Sequence, residues 1–160
     1  MTLESQIRTE VADRNHSELR KWAAPTGGFS VWTVYVDELV MGMPLFRVYF
    51  VARDELSALR MPCETSCGEC AWSSDGRYAA LRARDLLCFW DTTAGRLAQH
   101  ALKGAYAYTI RFDAGTTLRG VLDTASYKFS LMPRIVELDM SALDWRPTDP
   151  ADRLSVGAAD

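Results

Sequence analysis

Two segments in the middle of the chain, residues 70–81 and 86–97, each have the pattern of a strand, a tight turn and a second strand. The first turn contains Asp75 and Gly76, and the second contains Gly95. Glycine adopts positive φ without steric cost, and aspartate hydrogen-bonds its own backbone, so both residues favour hairpin turns. The spacing therefore predicts an antiparallel meander of three to four strands, and it restricts the architecture more than the activity.

Further strands are predicted on both sides of this meander, within a β region that covers residues 29–140. Two segments rich in aromatic and β-branched residues, 30–36 and 45–52, flank a turn at Gly42. The short segment 54–61 is interpreted as one helical turn or a loop. From residue 68 onward the predicted strands are 68–73, 77–83, 86–91, 96–102, 107–112, 117–123, 127–132 and 134–140.

The first residues of the chain have a different pattern. Leu3, Ile7 and Val11 recur every four residues among charged side chains, which is the spacing of an amphipathic helix. Residues 1–24 are therefore predicted to be an N-terminal helical segment, with a second short helical piece over residues 17–22.

Acidic residues are concentrated towards the C-terminal end. Residues 135–160 contain six acidic and two basic side chains, and the rest of the chain is nearly balanced, so the net charge is −3. Binding to nucleic acid depends on clustered lysines and arginines, and the chain is therefore not expected to bind nucleic acid directly. Residues 147–160 are predicted to be an irregular acidic tail.

The composition is that of a globular protein, because hydrophobic residues make up 48% and charged residues 24% of the 160 positions. This length predicts a single domain over residues 1–160. No apolar run approaches the roughly 18 residues that span a bilayer. The first residues lack the basic and apolar regions of a secretion signal. We therefore predict a cytoplasmic, mainly β protein with an N-terminal α-helix and no membrane partner.

A weak internal repeat accompanies the two hairpins. Trp72 lies 40 residues before Phe112, and both precede a turn. Residues 71–78 and 89–97 resemble one blade of a WD40-type β-propeller; the similarity covers residues 70–97, with a weaker repeat up to residue 140. The Gly-His pair that usually opens a WD40 repeat is missing. The resemblance implies propeller-blade-like antiparallel sheets, and the chain length favours a small meander with curled or stacked sheets over a closed propeller.

The cysteines allow three interpretations. Cys63, Cys67 and Cys70 have the spacing of the iron–sulfur motif in radical enzymes that use S-adenosylmethionine, but Glu69 occupies a position that is aromatic in those enzymes. A structural zinc site needs four ligands, and its fourth would be Cys88 in an apolar strand. Reduced thiols packed as small apolar groups are the third interpretation and the preferred one. No cofactor is predicted.

The sequence contains no motif typical of a catalytic site. His16 and His100 are the only histidines, and both occur in contexts typical of surface residues. Motifs for phosphate binding, dinucleotide binding and serine or zinc hydrolysis are absent. Arg47 and Tyr49 belong to a set of arginine and aromatic residues that is interpreted as cross-strand pairs rather than a single-strand nucleic-acid site. The protein is predicted not to be an enzyme.

The acidic end supplies the predicted partner-binding residues, which are Asp139, Asp144, Trp145 and Asp149. A large aromatic side chain among carboxylates is typical of a protein interface, although Trp145 fits a core position equally well and the acids fit a solvated tail.

These residues favour a non-catalytic module that binds another protein. Small compact acidic bacterial proteins often act as immunity proteins that inhibit a toxin, and an acidic surface suits a basic toxin or nuclease through electrostatic steering. One alternative is a zinc-binding or thiol-dependent protein centred on Cys63, Cys67 and Cys70. Another is a subunit of a larger assembly that completes its sheet with a partner's strand.

Overall fold

The computed structural model describes residues 1–11, 18–40, 42–62, 64–65, 70–83, 85–103, 105–124 and 134–156. The chain divides into two compact units. Unit one consists of Met1–Glu69 together with Asp149–Asp160, and unit two consists of Cys70–Thr148. Unit one is therefore discontinuous in sequence.

The described part of the chain is mainly β, with three antiparallel sheets and one α-helix near the N-terminus. This confirms the fold class predicted from the sequence. In chain order the elements are α1 (Leu3–Glu10), β1 (Leu19–Ala23), β2 (Phe29–Val40), β3 (Met43–Ala52), β4 (Ser57–Arg60), β5 (Cys70–Trp72), β6 (Tyr78–Ala83), β7 (Leu86–Asp91), β8 (Arg96–Ala101), β9 (Ala105–Phe112), β10 (Thr117–Thr124), β11 (Arg134–Asp139), the 3-10 helix η1 (Met140–Ala142), β12 (Arg146–Pro147), the 3-10 helix η2 (Pro150–Asp152) and β13 (Arg153–Ser155).

Unit one is a five-stranded sheet with the order β1-β2-β3-β4-β13, and α1 packs on one of its faces. Leu3 and Ile7, one helical turn apart, are buried against Trp32 and Tyr49 of the sheet. The predicted amphipathic spacing therefore corresponds to a helix whose apolar stripe covers the sheet.

A charged contact joins three elements of unit one. Arg60 in β4 donates hydrogen bonds to Glu10 at the end of α1 and to Asp152 in η2, the latter at 2.9 Å. The C-terminal segment of the chain is thus held to the helix and the sheet by polar contacts as well as by strand pairing.

The second predicted helical piece, over residues 17–22, is wrong. Residue 17 lies outside the described residues, and Leu19–Ala23 form strand β1, which pairs antiparallel with β2. The spacing of Leu19 and Trp22 fits a helix, but pairing with a long neighbouring strand outweighs such a weak local preference.

Two other segments that were not predicted to contain a strand each contribute one to the sheet of unit one. The segment 54–61 contains β4, and the predicted irregular tail 147–160 contains η2 and β13. β13 pairs with β4, so Arg153 lies opposite Leu59 across nearly a hundred residues of sequence. Local polarity does not reveal a pairing of this kind, because the stabilising partner is distant in the chain. Residues 157–160 lie outside the described residues.

Unit two contains the predicted meander. Strands β5, β6, β7 and β8 pair in sequence order, and β12 pairs with the outer side of β8. Gly76 and Gly95 have φ of 70° and 60°, the left-handed backbone that both predicted turns require. A four-stranded meander is what the WD40 resemblance implies for one blade, and the resemblance itself stays a prediction.

The remaining strands of unit two form a three-stranded sheet with the order β11-β10-β9. The predicted strand at 127–132 lies outside the described residues. Leu87 and Phe89 from the five-stranded sheet and Leu118 and Leu122 from the three-stranded sheet belong to one buried cluster. Unit two therefore has an apolar core with contributions from both of its sheets.

Candidate protein-binding site

The four residues predicted to bind a partner do not all lie in one unit. Asp139, Asp144 and Trp145 belong to unit two, where they occur at the end of β11 and in the segment that leads to β12. Asp149 belongs to unit one, where it precedes η2.

Two of the predicted aspartates cap short 3-10 helices. The carboxylate of Asp139 accepts hydrogen bonds from the backbone amide and the hydroxyl of Ser141, both at 2.8 Å. These hydrogen bonds lower the pKa of Asp139. Asp149 accepts a hydrogen bond from the amide of Ala151 at 2.9 Å in the same way. Both side chains are exposed, but each has a local structural role.

Trp145 is partly buried. Its indole Nε1 donates a hydrogen bond to the carbonyl of Met140 at 2.7 Å, and its ring lies 5.7 Å from that of Tyr78. It packs against the apolar core of unit two. The structure therefore gives Trp145 the core packing that was one of its two interpretations.

Asp144 is highly accessible. Its side chain is 79% exposed and forms an ion pair with Arg146 at 3.0 Å. An ion pair between two such exposed groups contributes little to stability. Asp144 is thus available to a partner without a large structural cost.

Beside Trp145, two arginines converge on a buried carboxylate. Arg77 donates to both oxygens of Asp91, at 3.2 and 3.1 Å, and Arg96 approaches the same carboxylate at 3.5 Å. The backbone amides of Thr93 and Ala94 also donate to Asp91. Burial disfavours the charge of Asp91, but the hydrogen bonds from Arg77 and the two amides outweigh it and lower the pKa. This carboxylate stabilises the β7–β8 turn.

Sequence reasoning missed an exposed apolar pair on the outer face of the three-stranded sheet. Ile135 in β11 is 67% exposed and lies directly opposite Val121 in β10, which is 36% exposed. Along β11, Glu137 and Asp139 point to the same side as Ile135, because side chains two residues apart share a face. We call Val121, Ile135, Glu137 and Asp139 the β11 face.

A weak sequence signal for this pair existed. Ile135, Val136 and Leu138 place apolar side chains on both faces of a strand that is also rich in charge. Val136 and Leu138 pack against the core, which leaves Ile135 without a buried position. Only the strand register identifies which of the three is exposed.

The hydrogen-bond pattern shows which backbone groups of β11 point away from the sheet. The amide of Met140 donates to the carbonyl of Thr116, so this directly opposed pair is a hydrogen-bonded pair. Such pairs alternate along an antiparallel ladder, and Val136 and Leu138 therefore bond to β10. The N–H and C=O groups of the intervening residues, Ile135, Glu137 and Asp139, point outward. We call these groups the β11 edge.

A second contact supports this assignment. The amide of Asp113 donates to the carbonyl of Thr117, so Thr117 uses its backbone groups toward β9. By alternation, Leu118 uses its groups toward β11, in agreement with its pairing to Leu138.

The cysteines that the structure describes do not share a metal ion. Cys70 lies opposite Leu81, and Leu81 lies opposite Cys88, so a complete strand separates the two cysteines. Two strand spacings amount to about 10 Å. Zinc–thiolate bonds of about 2.3 Å do not span that distance. Cys63 and Cys67 lie outside the described residues.

The two histidines were the other residues considered for catalysis. His100 is half-buried in β8, and His16 lies outside the described residues. In the described part of the chain, no three histidine, cysteine, aspartate or glutamate side chains lie close enough to hold a metal ion. None of the helices in that part is long and apolar enough to cross a membrane.

No protein-family model, curated protein or solved structure matches this chain.

Proposed function

We propose that this chain binds another protein, without catalysis, through the β11 face and through Asp144, which follows the end of β11 by five residues in the sequence. The observation that carries the proposal is the exposure of Ile135 opposite Val121, on a face to which β11 also contributes the acidic side chains of Glu137 and Asp139. Burying an exposed aliphatic pair against a partner stabilises the complex by about 25 cal/mol per Å² of buried apolar area.

The acidic side chains near this pair favour a basic partner. Glu137 is 57% exposed, and its contact with Arg119 at 3.3 Å is an exposed ion pair that a partner can replace at small cost. Asp139 adds a further exposed carboxylate in the same strand, and Asp144 adds one five residues further along the chain. Charges at the rim of an interface mainly accelerate association and select partners of opposite sign.

The partner class that fits these properties best is a basic protein whose activity is blocked by the bound chain, such as a toxin or nuclease. The support for this class is the excess of acid in residues 135–160 and the exposed apolar pair. In this proposal the chain acts in the cytoplasm as an immunity protein. The subunit alternative is compatible with the same surface, because an assembly partner would also cover it.

The experiment compares capture of a partner by matched variants. The wild-type chain is immobilised and incubated with extract of the source cell, and retained proteins are identified by mass spectrometry. The double variant Glu137→Lys/Asp144→Lys reverses two exposed charges of the proposed surface. Asp85→Lys reverses an exposed charge in the β6–β7 turn of the same unit and is the control.

We expect a basic protein to be retained by the wild type and by Asp85→Lys, and at least tenfold less by the double variant. If this protein inhibits growth when expressed alone, co-expression of the wild-type chain should restore growth, and co-expression of the double variant should not. Equal retention by all three chains would refute the proposed surface. A retained protein whose toxicity is unaffected would refute the immunity role.

A further inference from the structure

We propose that the β11 edge binds an extended segment of the partner as an additional antiparallel strand, with basic side chains of that strand opposite Glu137 and Asp139. This inference rests on the proposed function, because it specifies how a protein partner is held at the β11 face.

The backbone of β11 has the geometry that strand addition requires. Ile135, Glu137 and Asp139 direct their N–H and C=O groups away from β10, as the hydrogen-bond pattern shows. Within the described part of the chain, no hydrogen bond from another segment reaches these groups. An added antiparallel strand would form hydrogen-bonded pairs with all three residues and extend the three-stranded sheet by one strand.

The side chains determine which strand fits. In a hydrogen-bonded pair, the two opposed side chains lie on the same face with their Cα atoms about 5.5 Å apart. A strand antiparallel to β11 therefore meets Asp139 first, then Glu137, then Ile135. Opposite charges in such pairs are stabilising and like charges are destabilising. The complementary strand carries two basic residues and then an apolar residue, at alternate positions.

A second copy of this chain does not satisfy these requirements. Antiparallel pairing of β11 with itself, centred on Glu137, places two Glu137 side chains opposite each other and Ile135 opposite Asp139. Shifting the register by one hydrogen-bonded pair in either direction places acid against acid or acid against Ile135. The charge pattern thus disfavours a homodimer through this edge and favours a basic segment of another protein.

The test uses a synthetic peptide as the probe strand, acetyl-Thr-Lys-Thr-Lys-Thr-Val-Thr-amide. It is titrated into the ¹⁵N-labelled full-length chain, and binding is followed by amide chemical shifts and by hydrogen exchange. Binding should shift and protect the amides of Ile135, Glu137 and Asp139 specifically. The same peptide with glutamate in place of both lysines is the charge control.

Two further changes separate strand addition from simple charge attraction. N-methylation of the second lysine and the valine of the peptide removes two inter-strand donors and keeps every charge. In the protein, Ile135→Pro removes one outward N–H, keeps both carboxylates and leaves the bonds from Val136 to β10 in place. If Ile135→Pro fails to fold, the N-methylated peptide gives the same test with the wild-type chain.

We expect the lysine peptide to bind, the glutamate peptide and the N-methylated peptide not to bind, and Glu137→Gln to weaken binding about two- to fivefold. Asp85→Asn, the control for loss of an exposed acid elsewhere in unit two, should leave binding unchanged. Equal binding of the N-methylated and unmodified peptides would overturn strand addition, as would a homodimer in solution that dissociates in Ile135→Pro.

The outcome is separable from that of the proposed function. If the natural partner depends on Glu137 and Asp144 but still binds Ile135→Pro, and the peptide fails, strand addition is wrong and the protein-binding function stands. If the peptide adds to β11 but no retained protein depends on those acids, the proposed function is wrong and the edge keeps its strand-binding property.

Discussion

Removal of the Asp91 carboxylate should destabilise unit two more than any other single change of charge in that unit. The side chain of Asp91 is 1% exposed, and it accepts hydrogen bonds from Arg77 and from the amides of Thr93 and Ala94. Removing one partner of a buried ion pair costs about 3–5 kcal/mol. Because the guanidinium of Arg77 is nearly half exposed and keeps part of its hydration, we expect about 2–4 kcal/mol for Asp91→Ala.

Asp91→Asn separates the two functions of this carboxylate. Oδ1 accepts both backbone amides and Arg77 Nε at 3.2 Å, whereas Oδ2 accepts Arg77 Nη2 at 3.1 Å and lies 3.5 Å from Arg96 Nη2. An asparagine keeps an acceptor for the amides and for Arg77 Nε, and it presents its NH₂ group to the Nη2 atoms of Arg77 and Arg96. We expect Asp91→Asn to lower the free energy of unfolding by about 1–2 kcal/mol, which is less than the loss expected for Asp91→Ala.

The assay is urea unfolding followed by circular dichroism, with Arg77→Gln and the double variant to complete a mutant cycle. Residues in one hydrogen-bond network show coupling energies of about 0.5–3 kcal/mol. A coupling energy near zero between Asp91 and Arg77, or a cost below about 1 kcal/mol for Asp91→Ala, would refute this account of the turn.

The pH dependence gives an independent check on Asp91. Its pKa in the folded protein lies below the ordinary value of 3.8, so the unfolded chain binds the proton first as the pH falls. The stabilisation from Asp91 is therefore complete well above pH 3.8 and is lost as the pH falls below it. The free energy of unfolding should decrease more steeply in this acid range for the wild type than for Asp91→Asn; parallel curves would contradict the assignment.

Four other substitutions or measurements test contacts and backbone groups elsewhere in the chain. Gly120→Ala should destabilise the chain by about 1–3 kcal/mol in urea unfolding, because a Cβ there would lie 3.1 Å from Val136 and 3.3 Å from a backbone oxygen; an unchanged midpoint would refute it. Trp145→Phe should cost about 1 kcal/mol in urea unfolding through loss of the indole hydrogen bond, and an unchanged stability would contradict that contact. Leu154→Ala, in the partly buried edge strand of unit one, should cost about 1–2 kcal/mol, and no loss would mean that β13 contributes little packing. Amide exchange should be slower at Val136 than at Glu137 in the free protein, and the reverse order would contradict the assigned edge.

The meander was predictable because its determinants are local. Asp75 and Gly76 lie next to each other in sequence, and the structure gives Gly76 the positive φ that the turn needs. β1, β4 and β13 were not predictable as strands, since their stability comes from neighbours distant in the chain. In short polar segments, tertiary pairing outweighs local preference.

The candidate site was predictable only in part. The sequence drew attention to Asp139 and Asp149 as partner-binding residues, and in the structure each accepts a hydrogen bond from the amide two residues later, a contact that local spacing predicts. The exposure of Ile135 was not predicted, because it follows from the register of β11 against β10 and not from its neighbours in sequence.

The split sequence of unit one has a consequence for biosynthesis. β13 completes the sheet beside β4, but about ninety residues must be translated between Arg60 and Arg153. At about 5–20 residues per second, translation of these residues takes on the order of 5–20 s, and the edge of β4 that pairs with β13 stays unpaired during that time. During that interval the nascent chain carries an incomplete sheet, so chaperone capture and misassociation should be greatest before β13 leaves the ribosome.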